Sequence, residues 1–179
     1  GRWNTPLAEE APPGHDVIAN ITTAWEDAAD RWSTHARVVK LRTPVVLART
    51  GGALPRLARL ARLGLAAPLG DGRQVMTWVH LNDLVSAYSA ALFNTDLRGA
   101  YNVAASEQPD NRSFMRTLAH ALHRPFVMPA VPGFALRLVL GDMADVLLGG
   151  GPLRTERLGS TGWRCTHPTL EAALHDLLR

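Results

Sequence analysis

The run Arg37-Val38-Val39-Lys40-Leu41-Arg42-Thr43-Pro44-Val45-Val46-Leu47 constrains the fold more than any other feature of the chain. It is rich in β-branched residues and nearly continuous in apolar character, the pattern of a strand covered on both faces. Strands of that kind sit in parallel sheets, and parallel neighbours are joined by helical crossovers. Pro44 has no N–H to give a ladder, so regular pairing is expected to end or bulge there. Two shorter runs, Val75 to His80 and Ala100 to Ala104, also read as strands. Between and around them lie helical patterns. One, from Val17 to Trp32, follows Asp16 as N-cap and carries Val17, Ile21, Ala24, Trp25 and Ala28 on one face. A second runs from Leu54 to Leu63. A third follows Asn82 or Asp83 as cap and carries Leu84, Ala87, Tyr88, Ala91 and Leu92. A fourth follows Asn111, with Phe114, Leu118, Ala121 and Leu122 at helical spacing. Further helices are expected from Pro132 to Leu140 and from Leu170 to Leu178, with a Gly-broken helical stretch from Gly141 to Leu158. Residues 1–14 read as an irregular leading segment. Strands alternating with helices make this an α/β chain.

Composition narrows the function classes. At 179 residues the chain is one domain or a piece of a larger one, and its 46% hydrophobic and 20% charged content is that of a globular protein. The single Cys, Cys165, excludes an internal disulfide framework and a Cys-based zinc site, and fits a reducing, cytoplasmic setting. Lys40 is the only Lys among 19 cationic residues, which face 16 acidic ones interspersed along the chain. Nucleic-acid binders cluster their positive charge, so no nucleic-acid partner is expected. No apolar stretch approaches the ~18 residues of a membrane span, so no membrane partner is expected either. Gly1 opens the chain without Met and without a signal-like apolar core, which reads as a processed chain or a fragment.

An ordered set of motifs then carries a family likeness. They are Trp25-Glu26, Leu41-Arg42-Thr43, Gly51-Gly52-Ala53-Leu54, Leu63-Gly64-Leu65, Pro68-Leu69-Gly70, Gly72-Arg73-Gln74 and Trp78-Val79-His80-Leu81-Asn82-Asp83-Leu84. Downstream come Gly99 to Asn102, His123-Arg124-Pro125, Pro129 to Pro132, Gly141-Asp142-Met143-Ala144 and Pro168-Thr169-Leu170-Glu171-Ala172-Ala173-Leu174. Together they resemble the extended short-chain dehydrogenase/reductase superfamily, in its atypical branch of nucleoside-diphosphate-sugar epimerases with a C-terminal domain of unknown function. The resemblance implies an α/β fold: the C-terminal part of a Rossmann-like doubly wound parallel sheet over residues 1–110, then a mainly helical substrate-side domain over residues 111–179. It implies NAD(P) as cofactor and a small-molecule substrate, with a nucleotide sugar among those expected. It also implies that the glycine-rich phosphate-binding turn of the fold lies outside this chain, with the main cofactor-binding half. The strand from Val38 to Val46 would then present an edge for that N-terminal half, or for a second copy, to cover.

Residue by residue, the resemblance places Arg42, Thr43 and Val45 near the nicotinamide and Gln74, Trp78 and His80 along the substrate cleft. The superfamily's Tyr and Lys positions fall on Ile18 and Thr22, which cannot exchange a proton in that role, so no catalytic residue is assigned. The Arg that commonly binds nucleotide phosphates falls on Met76, with Arg73 three residues earlier. Other features have two readings each. His80 and Asp83 either line a cleft or order the strand–helix junction, with Asp83 as cap. Arg56, Arg59 and Arg62 form either a polyanion stripe or the wet face of an amphipathic helix. His120 and His123 lack a third ligand, so no metal is expected. Gly70-Asp71-Gly72 is too short for a phosphate loop, Gly51-Gly52 reads as a loop, Trp163 as packing, and Cys165 as a neutral thiol. The rival to an enzyme is a non-catalytic truncated or ligand-binding module, favoured by the absent glycine-rich loop and by Ile18 and Thr22.

Overall fold

The computed structural model describes residues 5–141, 144 and 148–179. The long apolar run does break at its proline. It forms β1 (Val39–Arg42) and β2 (Val45–Leu47), separated by Thr43-Pro44. After α1 (Val17–Asp30) and these two strands come α2 (Leu54–Arg62), β3 (Trp78–His80), α3 (Leu81–Phe93), β4 (Gly99–Asn102), α4 (Asn111–Ala121), α5 (Gly133–Leu140), α6 (Glu156–Gly159) and α7 (Leu170–Leu177). The two halves of the run take different partners. β1 pairs in parallel with β4, Val39 opposite Gly99 and Arg42 opposite Asn102. β2 pairs in parallel with β3, Val45 opposite Trp78 and Leu47 opposite His80. Lacking an N–H, Pro44 lets the chain leave one ladder and enter another. Among the described residues, β1 has no strand on its other edge.

Side-chain alternation along β3 divides the core in two. Trp78 packs with Leu47, Leu54, Ala58, Phe114, Leu118, Leu170 and Leu174, which joins β2 and β3 to α2, α4 and α7. Val79, on the opposite face, packs with Ala87, Leu97, Tyr101, Val103 and Leu158. Several expected faces are revised. In α2 the leucines repeat every third residue, whereas a helix turns every 3.6, so the row winds round the cylinder. The buried line is Leu54, Ala58 and Ala61, while Leu60 and Leu63 stay exposed. In α3, Ala87 is buried and Leu84 partly so, but Tyr88 and Leu92 face solvent. Helix α1 buries no residue at all, and Val17, Ile21 and Trp25 are exposed.

Caps also differ from expectation at two helices. Asp16 does cap α1, accepting from the Ala19 N–H at 2.8 Å. The cap of α3, however, is His80, whose Nδ1 accepts the Asn82 N–H at 3.0 Å, and the cap of α4 is Asp110, which accepts from Ser113 at 2.7 Å. Asp83 is thereby released for another task, and Asn111 is buried with its Oδ1 accepting from the Leu69 N–H. Of the stretch from Gly141 to Leu158, residues 142, 143 and 145–147 lie outside the described residues, residues 149–155 are not helical, and the short helix α6 opens only at Glu156. Among the described residues, no helix is long and apolar enough to cross a membrane.

Candidate functional site

In an open parallel sheet, ligands sit at the carboxyl ends of strands where neighbours change. Here β1 and β4 end side by side, at Arg42 opposite Asn102, and beyond Thr43-Pro44 the chain passes from β1 into β2. An open cleft of about 1080 Å³ lies beyond β4, walled by Pro6 to Glu10 without Leu7, by Ser106 and Gln108, and by residues 152–157. Two buried or half-buried amides latch these walls. Asn102 donates through Nδ2 to the carbonyls of Leu7 and Arg154, and its backbone N–H bonds Glu9 Oε1 at 2.9 Å. Gln108 holds Leu153 in both directions, Nε2 to the carbonyl at 2.9 Å and Oε1 from the N–H at 2.7 Å. Leu7 and Leu153 complete the frame as a parallel bridge.

The residues expected at the cofactor meet at the strand exchange. Arg42 is anchored: Nε and Nη2 bind the two carboxylate oxygens of Glu26 at 2.6 and 2.8 Å, and Nη1 donates to the Glu9 carbonyl at 2.8 Å. That fork-to-fork hydrogen bonding holds the Glu26 carboxyl below its usual range, against the opposing effect of burial. Thr43 and Val45 are exposed, and Thr43 donates its hydroxyl to the Leu41 carbonyl. Thus Arg42 fixes the strand end, and its two neighbours present the surface.

Gln74, Trp78 and His80 are all buried. Gln74 Nε2 donates to the Leu69 carbonyl. The Trp78 indole N–H has no acceptor among the described residues, although the side chain is enclosed. His80 belongs to a junction that ties the end of β3 to the last helix. Because its Nδ1 accepts the Asn82 N–H, the ring proton sits on Nε2, 3.2 Å from Asp176 Oδ2. The His80 ring stacks on His167 with centroids 3.8 Å apart. Asp83 then gathers the chain before α7, accepting from the N–H groups of Thr166 and His167, from the Cys165 thiol and from His167 Nδ1. Burial by itself would raise the Asp83 carboxyl; those backbone donors outweigh it and hold the carboxyl below its usual range. The Cys165 thiol is pushed up to about 12 by burial and by the neighbouring Asp83 charge, so it is a neutral thiol at physiological pH. His80 is held below its usual value, by burial first and then by His167.

His80, His167 and Asp176 bring three metal-ligand atoms within 4.8 Å of one another. Their chemistry does not fit an ion. The His80 lone pair is committed to the Asn82 cap, and two rings stacked 15° from parallel direct their in-plane lone pairs side by side rather than to one point. His120 and His123 do not share a helical face either. His123 lies beyond the end of α4, with a positive φ of 54°. Arg56, Arg59 and Arg62 are exposed along α2. Gly70-Asp71-Gly72 is a tight turn packed under α4, since a Cβ on Gly72 would lie 3.0 Å from Pro68 and 3.1 Å from Arg112. Trp163 packs beside the second cluster and donates its indole N–H to Ser86.

The residues that frame the cleft, Glu9, Asn102 and Gln108, were not foreseen as site residues. Glu9 stood in a segment read as irregular, and its partner Asn102 is 93 residues away, a pairing that no local pattern reveals.

Comparison with known proteins agrees with this architecture. Residues 131–177 match the family model described as a domain of unknown function, DUF1731. The chain is 38% identical over 172 residues to the epimerase family protein SDR39U1 of Mus musculus, covering 95% of this chain and 58% of that protein. The crystal structure of human epimerase family protein SDR39U1 (isoform 2) with NADPH superposes with a TM-score of 0.89 at 32% identity, over 97% of this chain and 59% of that one. The nucleoside-diphosphate sugar epimerase of Corynebacterium glutamicum shares the fold, with a TM-score of 0.78 at 24% identity, over 98% of this chain and 34% of that one. The chain therefore spans somewhat over half the length of the curated relatives it matches, and across that span it is similar to epimerase family proteins.

Proposed function

We propose that this chain supplies the substrate side of an NAD(P)-dependent epimerase or oxidoreductase acting on a small molecule, a nucleotide sugar being the expected class. The observation that carries the reading is the strand exchange at Thr43-Pro44, which leaves Thr43 and Val45 exposed at the carboxyl end of β1, beside the terminus of β4. Those residues fit the nicotinamide end of a dinucleotide: Thr43 and Val45 would lie against it, with Arg42 anchoring the backbone. When bound, the nicotinamide gives or takes a hydride. The phosphates would be held by a glycine-rich turn outside these residues, and the Rossmann-like half that carries it would cover the free edge of β1; a second copy of the chain is the alternative cover. Residues 1–110 would then complete the cofactor-binding domain and residues 111–179 form the substrate-side domain, in a cytoplasmic protein, as the lone Cys165 suggests.

Gln74, Trp78 and His80 would form the substrate-side wall. The unpartnered indole N–H of Trp78, beside Val45 in register, supports a polar role there. His80 would set that wall's position by capping α3. One observation favours binding without turnover: at the superfamily's catalytic positions, Thr22 donates its hydroxyl to the carbonyls of Ile18 and Ala19, within α1.

Titrating the chain with NADPH and following nicotinamide fluorescence tests the reading. Binding is expected, with loss in T43W and no change in that variant's melting temperature. Absence of binding, or equal binding by T43W, contradicts it.

A further inference from the structure

Glu9 is 7% exposed, yet only one of its carboxylate oxygens is satisfied. Oε1 accepts the Asn102 N–H; Oε2 has no hydrogen-bond donor among the described residues. Oε2 is not among the enclosed polar atoms, so this almost wholly buried side chain keeps one carboxylate oxygen open as an acceptor in the cleft. Glu9 lines the cleft, and its position there is fixed from two directions. Arg42, itself clamped by Glu26, holds the Glu9 carbonyl, and Asn102 holds both its carboxylate and the neighbouring Leu7 carbonyl. The other charges of the cleft are paired or exposed. Arg157 is paired with Glu10 at 2.9 Å and lies over the Tyr101 ring, Glu156 is exposed, and Arg154 is exposed without a side-chain acceptor among the described residues.

We infer that Glu9 is a substrate-binding carboxylate whose Oε2 accepts a hydrogen bond from a ligand hydroxyl. This rests on the reading of the cleft as the substrate side of the site, and it gives that cleft a specificity: it selects ligands that place a hydroxyl donor at Glu9 over otherwise identical ligands without one. Glu9 is a binding residue in this account; no proton transfer is assigned to it. Arg42 and Asn102 act through it as positioning residues.

The probes are UDP-glucose and UDP, which differ by a sugar bearing hydroxyls, titrated calorimetrically into the full chain alongside NADPH. Wild type should bind UDP-glucose about ten- to a hundredfold more tightly than UDP, the range of one hydrogen bond to a charged group. E9Q should bring the two affinities within about threefold and leave NADPH binding unchanged. A merely structural Glu9 would weaken both nucleotides alike and keep their ratio, and that result overturns the inference while sparing the family reading. A wild-type chain that binds neither probe, or both equally, also overturns it. Loss of NADPH binding by wild type contradicts the broader reading instead. Should E9Q fail to fold, the Asn102 amide resonance of wild type decides: it should move with UDP-glucose and not with UDP, and an unmoved resonance overturns the inference.

Discussion

The region built by α2, α4 and α7 and the region of α1 and the outer face of α3 solve the same problem in opposite ways. In the first, Leu54, Phe114, Leu118, Leu170 and Leu174 close around Trp78 and leave no more than 1% of each side chain exposed. In the second, apolar side chains of similar size stand in water: Trp25 is 69% exposed, Leu92 70% and Phe93 84%. α1 touches the sheet chiefly through charge, with Glu26 on Arg42 and Lys40 and Asp30 on Lys40. The difference separates faces that this chain covers with its own side chains from faces that nothing among the described residues covers.

The sharpest way to break the comparison is to truncate one aromatic on each side. F114A should lower unfolding free energy by about 3–5 kcal/mol, whereas W25A should stay within about 0.5 kcal/mol. Urea titration of both variants measures this, and a comparable loss in W25A would refute the contrast.

Between the two regions lies the Asp83 junction, which ties α3 to the segment leading into α7. D83N removes the charge that four donors share and should cost about 2–3 kcal/mol by the same measurement. The junction also sets a pH dependence. His80 is held below its ordinary value of 6.5 in the fold, so the unfolded chain binds that proton more readily. Its contribution is complete above about pH 6.5 and is lost as pH falls from there through the lower folded value. Asp83, held below 3.8, adds a second loss at still lower pH. Stability followed from pH 8 to pH 3 should therefore decline in two stages. H80N, which keeps a cap for α3, should remove the first stage and leave the second.

A smaller effect, on stability, is expected at the cap of α7. Thr169 accepts from the Ala172 N–H, and T169A should cost about 1 kcal/mol. Smallest of all is a change that leaves stability within about 0.5 kcal/mol but alters association. The double variant W25E/L92E should reduce self-association in sedimentation velocity if the exposed apolar surfaces are sticky, and an unchanged distribution would remove that role from them.

Pattern and structure agree where the information is local. The break at Pro44, the Asp16 cap and the α/β alternation are written in neighbouring residues, because a missing N–H or a capping carboxylate acts within a turn. Burial of α1 and of Tyr88 and Leu92 is not local information: periodicity reveals which residues share a face, not whether anything covers it. His80 displaced Asn82 and Asp83 as cap because Asp83 is recruited by backbone donors more than 80 residues away. The cleft shows the same limit. Arg42 and Thr43 were named through resemblance alone, while Glu9 depends on Asn102 and Gln108 on Leu153, contacts made only by folding.

Residue-resolved amide NMR of the chain during an NADPH titration tests the central claim most directly. The account predicts that the largest shifts fall on Thr43, Val45 and the ends of β1 and β4, with α2 and α7 unmoved. Shifts confined to other surfaces, or none at saturating NADPH, would contradict it.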